Sequence, residues 1–454
     1  VTVVTGADDS FWGDERAAVA GVLAWAAQRV VSPSDPKTTA RPASELAAAA
    51  GPTVTPDGIG WQAALEVFDQ VLVPATRAQD DPMNLAYVPS APTRSAVAFD
   101  LATSAANIFA GLWEAGAGAI YAENEALAWL VRLLGWPADA GGCFVSGGTS
   151  GNLSALVTAR ETIRTRRGRR PPGGWVLACT AEAHSSIRGA ARALDVAVVE
   201  VPVDDRGHLT GEALHQVLRR HPNVFAVVAS AGTTNTGVVD DLADVADECA
   251  EHDVWLHVDG AYGGAALAAP SVRHRFAGVE QADSFIVDPH KWLYSPFDCC
   301  ALLYRDPRLA RAAHSQHASY LDVIDREKWN PADLATHLTR RARGLPFWFS
   351  LATHGTDRYR DAVERTLATA REVAAGIATS PHLRLVLEPE LSVLLLERPG
   401  WDAEAYAAWS KQMALDGVIL CLPTRWQERT VLRLAFVNPD TRADRVLAAL
   451  DTLR

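Results

Sequence analysis

The chain has 454 residues, 48% hydrophobic and 21% charged, a balance that belongs to soluble globular proteins and is long enough for two domains and an extension. Its formal charge of -12 argues against a nucleic-acid partner, which asks for a basic footprint. No apolar stretch approaches the roughly 20 residues of a membrane span. The first residues also lack the basic-then-apolar order of an export signal, so a cytoplasmic protein without a membrane partner is expected.

Residues 14–31 show helical apolar spacing through Val19, Val22, Leu23 and Trp25, and residues 61–73 do so again through Ala64, Leu65, Val67, Phe68, Val71 and Leu72. Between them residues 32–42, rich in Pro, Ser and Thr, read as loop. This helical extension, residues 1–75, has too little core to stand alone. Residues 81–90, DPMNLAYVPS, read either as a surface loop turning at Pro82 or as substrate contact. From Gly142 strands and helices alternate. Residues 143–145, 175–179, 196–201, 224–230, 254–258 and 284–287 read as strands, and residues 153–163, 211–220 and 242–251 as helices. Regular alternation implies right-handed crossovers and a mostly parallel sheet, an α/β fold spanning residues 76–345. The basic run of residues 164–170 ends a helix and continues into a solvated loop. Residues 346–454 read as helices around a small sheet with strands at 391–396, 418–421 and 431–437. The six cysteines show no metal-ligand spacing and read as buried free thiols in a reducing compartment; no metal is expected.

Asp259 stands at the end of one predicted strand, and Lys291 lies just beyond another. In an open α/β sheet both positions face the ligand crevice. A carboxylate and a lysine there suit pyridoxal phosphate: the lysine forms a Schiff base, and the carboxylate keeps the pyridine nitrogen protonated. An ion pair at a strand end is the plain alternative. Lysine scarcity argues against it, because the chain has only Lys37, Lys291, Lys328 and Lys411, and only Lys291 sits among apolar and aromatic residues. Desolvation lowers a lysine pKa and makes a better nucleophile. Ser146 to Gly151 form a glycine-rich turn before a helix, where backbone amides and the Thr149 hydroxyl suit a phosphate. The turn lacks the lysine of a nucleoside-triphosphate loop.

Three stretches, FVSGGTSGNLSAL (144–156), HVDGAYGG (257–264) and DPHKW (288–292), resemble the pyridoxal-phosphate-dependent group II amino-acid decarboxylases, the family of aromatic amino-acid and glutamate decarboxylases. The likeness runs from about the first tenth of the chain to its C-terminus. It implies the aspartate-aminotransferase-like fold (fold type I), with a seven-stranded, mostly parallel sheet in the large domain and a small C-terminal α/β domain. It also implies a homodimer with the active site at the interface and the N-terminal extension packed on the partner subunit. The cofactor would be pyridoxal 5'-phosphate (PLP), held by Lys291 as an aldimine. Asp259 would face the pyridine nitrogen, and His184 would stack on the ring, poised for proton transfer. Gly148, Thr149 and His290 would meet the phosphate, Ala261 the ring face, and Thr234 would lie near the cofactor. From the residues alone, His184 reads as a capped helix start and Thr234 as a turn hydroxyl. Asp288 takes a place held by Asn or Asp in the family, and Arg433 is either structural or substrate-facing.

The reaction so implied is decarboxylation of an L-amino acid, or an amino-acid-like substrate, to the amine and carbon dioxide through a quinonoid. Asn84, Tyr87 and Ser90 are the expected substrate positions. Here Asp81 replaces a family histidine, and Met83, Asn84 and Leu85 replace aromatic residues, which points away from an aromatic substrate. The family's loop tyrosine is not evident in residues 319–338: Tyr320 lies only at their start and Trp329 nearer the expected place. Tryptophan cannot serve as a general acid. Tyr320, His184 or His337 would then return the proton, or oxygen would react instead and give an aldehyde, ammonia and hydrogen peroxide. A carbon-carbon lyase, an aminotransferase and a PLP-binding pseudoenzyme are the further alternatives.

Overall fold

The computed structural model describes residues 11–168, 170–315 and 329–454. The N-terminal part is helical as expected: α1 (Arg16–Val31), α2 (Ala43–Ala50) and α3 (Trp61–Val67), none of which buries a residue. The α-helical ladder of α3 stops short of its expected end, passing into a π turn over Phe68–Leu72 and a 3-10 turn over Val73–Ala75. Pro74 lacks the N–H that would continue it. Two helices, α4 (Arg94–Ala106) and α5 (Trp113–Leu134), lead to the first sheet.

That sheet alternates with its helices: β1 (Gly141–Val145), α6 (Gly148–Arg167), β2 (Val176–Cys179), α7 (Ser185–Ala193), β3 (Ala197–Glu200), α8 (Gly211–Arg220), β4 (Val224–Ser230), α9 (Leu242–Glu251), β5 (Trp255–Asp259), β6 (Ser284–Val287), β7 (Cys300–Tyr304) and α10 (Pro307–His314). The strand order is β1-β7-β6-β5-β4-β2-β3. The four pairings from β6 to β3 are parallel, and β7 is antiparallel to both β6 and β1. Six strands therefore point one way, and their carboxyl ends share one rim. The central strands are buried apolar runs because helices cover both faces. This is the seven-stranded, mostly parallel α/β sheet that the resemblance implies, with β7 as its one reversed strand.

Helix α6 begins at Gly148, five residues before the expected start, because the glycine-rich turn is itself its first turn. A Cβ on Gly151 would lie 2.9 Å from Ile286 Cγ2 and 3.1 Å from Cys300 Sγ, so only glycine lets α6 settle this close to β6 and β7. The helix runs four residues past its expected end at Ile163, so that the basic run supplies its last turn with Arg164, Arg166 and Arg167 before Gly168 as a left-handed cap.

Beyond it, α11 (Leu345–His354) and α12 (Thr356–Ala378) precede the second sheet: β8 (Arg384–Leu385), β9 (Val393–Glu397), α13 (Ala403–Leu415), β10 (Leu422–Trp426), β11 (Arg429–Ala435) and α14 (Ala443–Leu450). Its order is β10-β11-β9-β8, antiparallel throughout. The strand expected at residues 418–421 lies later, at β10. Ile419 and Cys421 are apolar because they are buried, whereas the true edge strand is polar and carries Pro423, which an edge tolerates. Leu420 instead bonds through its backbone to Met83 and Leu85.

Candidate active site

Asp259 ends β5, and its Oδ1 accepts the Ala261 amide at 3.0 Å. Beyond β6, Asp288 and Lys291 begin the connection to β7. Lys291 Nζ lies 3.0 Å from Asp288 Oδ2. Trp292, fully buried, fixes this segment by stacking on Tyr262 at 5.2 Å and donating to Thr366 Oγ1 at 2.9 Å. Burial alone would lower the Lys291 pKa, but the Asp288 and Asp259 carboxylates outweigh it and hold the ammonium above the ordinary lysine value. The lowering expected from an apolar setting is thus reversed, and the reason is the second carboxylate.

A buried polar chain fixes the other groups. A carboxylate only accepts, so Asn152 turns Nδ2 to Asp259 Oδ2 at 2.9 Å and Oδ1 to His257 Nε2 at 2.8 Å. His257 then donates from Nε2, and its Nδ1 accepts from Ser284 Oγ at 2.9 Å; that oxygen in turn accepts Trp255 Nε1–H at 2.8 Å. Burial pushes the His257 imidazole down to about 4, against the pull of Asp259, so it is neutral as this chain requires. The second Asn152 proton goes to Ser186 Oγ at 2.9 Å, and Ser186 approaches His184 Nδ1 with its hydroxyl at 2.8 Å and its amide at 3.3 Å. Since Nδ1 accepts, the His184 proton sits on Nε2. His184 is also the N-cap of α7, so the capping reading and the cavity position hold together.

These groups open on a cavity of ≈ 350 Å³, large enough for a cofactor-sized ligand. Gly148, Thr149, Glu182, His184, Thr234, Asp259, Ala261, Asp288, His290 and Lys291 all line it. At one end the first amides of the 20-residue helix α6 have no intrahelical acceptor. A Cβ on Gly148 would stand 3.2 Å from Asp288 Oδ2 and 3.4 Å from Ala261 Cβ, narrowing the floor. His290 Nδ1 lies 2.7 Å from the Cys299 carbonyl. The turn-hydroxyl role falls to Thr233, which bonds Thr236 Oγ1 and the Val238 amide, while Thr234 stays exposed on the wall. Asp288 Oδ1 is buried without a hydrogen-bond partner among the described residues. An amine, a carboxylate at depth and an anion-accepting end are the three handles PLP requires, so the residues present fit it.

Residues 47–396 match the family model described as the pyridoxal-dependent decarboxylase conserved domain. The chain belongs to this decarboxylase family. It is 30% identical over 385 residues to an aromatic-L-amino-acid decarboxylase of Bacillus atrophaeus, covering 81% of this chain and 79% of that one. It is 32% identical to an L-2,4-diaminobutyrate decarboxylase of Rhizobium meliloti, covering 87% and 82%. The crystal structure of Oryza sativa TDC with PLP and tryptamine superposes with a TM-score of 0.89 at 23% identity, covering 100% of this chain and 98% of that one, and shows the common fold. The chain is accordingly a PLP-dependent carboxy-lyase.

The expected substrate positions do not line the decarboxylase cavity within one chain. Met83 and Leu85 are buried in the core of the second sheet. Asn84 donates to the Ala78 carbonyl at 3.1 Å, and Ser90 donates to the Val437 carbonyl at 2.7 Å. Tyr87 is exposed. Arg433 is mostly buried and donates from Nη1 to the Ala86 carbonyl at 2.8 Å, with Nε and Nη2 unpartnered among the described residues. Of the candidate proton donors, His184 is on the wall. His337 faces away, 3.1 Å from the Pro331 carbonyl, and burial lowers its pKa to about 4. Trp329 donates to the Gly142 carbonyl at 3.1 Å. Tyr320 lies outside the described residues. Sequence reasoning missed Asn152, Glu182 and His257 as members of the site. His257 could have been found, since it lies two residues before Asp259 and shares its face of β5.

Proposed function

We propose that this chain removes the α-carboxyl group of an L-amino acid as carbon dioxide and returns the amine, with PLP attached at Lys291. The observation that carries this reading is the convergence of the Lys291 amine, the Asp259 carboxylate and the His184 imidazole on one cavity that ends at the α6 N-terminus. When bound, PLP supplies the electron sink for the pair left on the α-carbon. Lys291 provides the nucleophilic nitrogen, and Asp288, 3.0 Å away, orients it by pairing with its ammonium form. Asp259 places negative charge where it favours a proton on a facing ring nitrogen. The amides of Gly148 and Thr149 would hold the phosphate, with His290 on the same cavity wall. His184 presents Nε2–H to the cavity, and its position supports it as the donor that completes the reaction on carbon.

The test is carbon dioxide release over a panel of L-amino acids in air, with hydrogen peroxide read from the same samples. Carbon dioxide without peroxide is expected, and Lys291→Ala should give neither. Equimolar peroxide would replace the amine with the aldehyde as product, and turnover retained in Lys291→Ala would overturn the assignment.

The same reading includes three parts, residues 1–75, 76–345 and 346–454, and a homodimer. Its support is apolar surface. Val19, Val22 and Leu23 on α1 and Phe68 and Leu72 on the π turn are all exposed, and a second copy would cover them. Light scattering at micromolar concentration should give twice the mass of one chain, 48.7 kDa. A cytoplasmic setting is supported by six buried free cysteines.

A further inference from the structure

We propose that His215, Glu248 and His252 form a binding site for one divalent transition-metal ion of the zinc, nickel or copper(II) type, on the side of the molecule away from the cavity. His215 comes from α8, while Glu248 and His252, four residues apart, share one face at the end of α9. Glu248 Oε2 lies 2.9 Å from His215 Nδ1 and 3.7 Å from His252 Nε2, and the three ligand atoms all fall within 4.8 Å of one another. Metal bonds of about 2.0–2.2 Å in a tetrahedral arrangement separate ligand atoms by about 3.3 Å. The two separations from Glu248 bracket that value and the two imidazole nitrogens lie within 4.8 Å of each other, so drawing the imidazoles onto one ion would complete the site, with water in the fourth position.

A hydrogen-bonded His215–Glu248 pair would account for the shorter contact alone. It does not account for His252 Nε2, which is buried and has no hydrogen-bond partner among the described residues, a condition that is rare for a polar atom. A metal ion supplies that partner. His252 is also the C-cap of α9, where the helix dipole favours positive charge. Arg167 reaches this corner, but it donates to the backbone carbonyls of His252 and Asp253 and leaves the ring nitrogens to the site. Two imidazoles and one carboxylate favour zinc, nickel or copper(II) over magnesium or calcium. The cysteines are all buried and offer no competing surface ligand. Because α8 and α9 end where β4 and β5 begin, the ion would pin two crossover helices at the amino-end rim of the sheet, opposite the rim that carries Lys291. The sequence conceals the site because His215 is separated from the other ligands by a whole strand.

The experiment is calorimetric titration of zinc chloride into the EDTA-treated holoenzyme, freed of unbound PLP, with Tm measured alongside. One ion per chain and a raised Tm are expected. His252→Ala and Glu248→Gln should each weaken binding by about 100-fold or more, since even the loss of an outer hydrogen bond to a ligand costs 10–100-fold. Carbon dioxide release should be unchanged in both, and His252→Gln provides a second variant should the alanine form fail to fold. Zinc affinity unaffected by these substitutions, or no binding to the unaltered protein, would overturn the site.

Discussion

Asn152 uses both amide protons and its carbonyl oxygen, and each contact ends on a group of the cavity or its support. Asn152→Ala leaves the Asp259 oxygen and the His257 N–H unpaired in a buried place, at about 1–3 kcal/mol for each lost partner. We expect lower stability in urea and weaker PLP retention, read by absorbance on dilution; unchanged retention would separate Asn152 from the cofactor end. Asp288 gives a second prediction at this scale. It helps raise the Lys291 pKa, so Asp288→Asn lowers that pKa and increases the neutral amine at a given pH. The rate at which the apoprotein captures PLP should then reach its plateau at lower pH than in the parent. A profile shifted upward would refute the pairing.

At the scale of elements, α5 is tied to the segment before α11 by one buried ion pair. Glu123 receives Arg340 Nη1 and Nη2, each at 2.7 Å, and the Gly344 amide at 2.8 Å. Glu123→Ala strands a guanidinium without a counter-charge, and a loss of about 3–5 kcal/mol is expected in chemical unfolding. A loss below about 1 kcal/mol would mean that the pair is dispensable. Gly151→Ala should cost about 1–3 kcal/mol by forcing α6 away from Ile286. The elements differ in how far the sequence discloses them. Strands β4 and β6 have the expected limits because both are unbroken buried runs bounded by turns. The start of α6 was hidden because glycines usually end helices, and β10 because an edge strand has no apolar signature. Lys291 and Asp259 were legible from their places at strand ends. Asn152 was not, since its partners lie 105 and 107 residues away and only the folded sheet joins them.

Across the whole molecule, His208 bridges the two sheets. Its Nε2 meets Glu390 Oε1 at 2.7 Å, and its Nδ1 meets Asp204 Oδ2 at 2.8 Å. The hydrogen bond with Glu390 leads in raising the His208 pKa to about 9, with Asp204 adding to it against burial. A folded pKa above the unfolded one stabilises fully below the unfolded value, near 6.5, and that contribution fades as pH climbs through about 9. Burial would raise Glu390, but His208 and the Val239 amide overcome it and lower its pKa, so its contribution is lost on the acid side, below its unfolded value. Stability should therefore fall between pH 7 and 9, and His208→Gln should flatten that decline. An equal alkaline decline in the variant would assign it to other groups.

The reversed strand β7 has a consequence for how the chain assembles. Because β7 starts at the rim where β6 ends, residues 288–299 form an arc with both feet on adjacent antiparallel strands. The sequence separation across that arc is short, whereas β1 must wait for a partner more than a hundred residues away. Low contact order favours early closure. In pulsed hydrogen exchange during refolding, the Ile286 and Leu302 amides should be protected before those of β1; the reverse order would show that the lysine arc is shaped only after the sheet is complete.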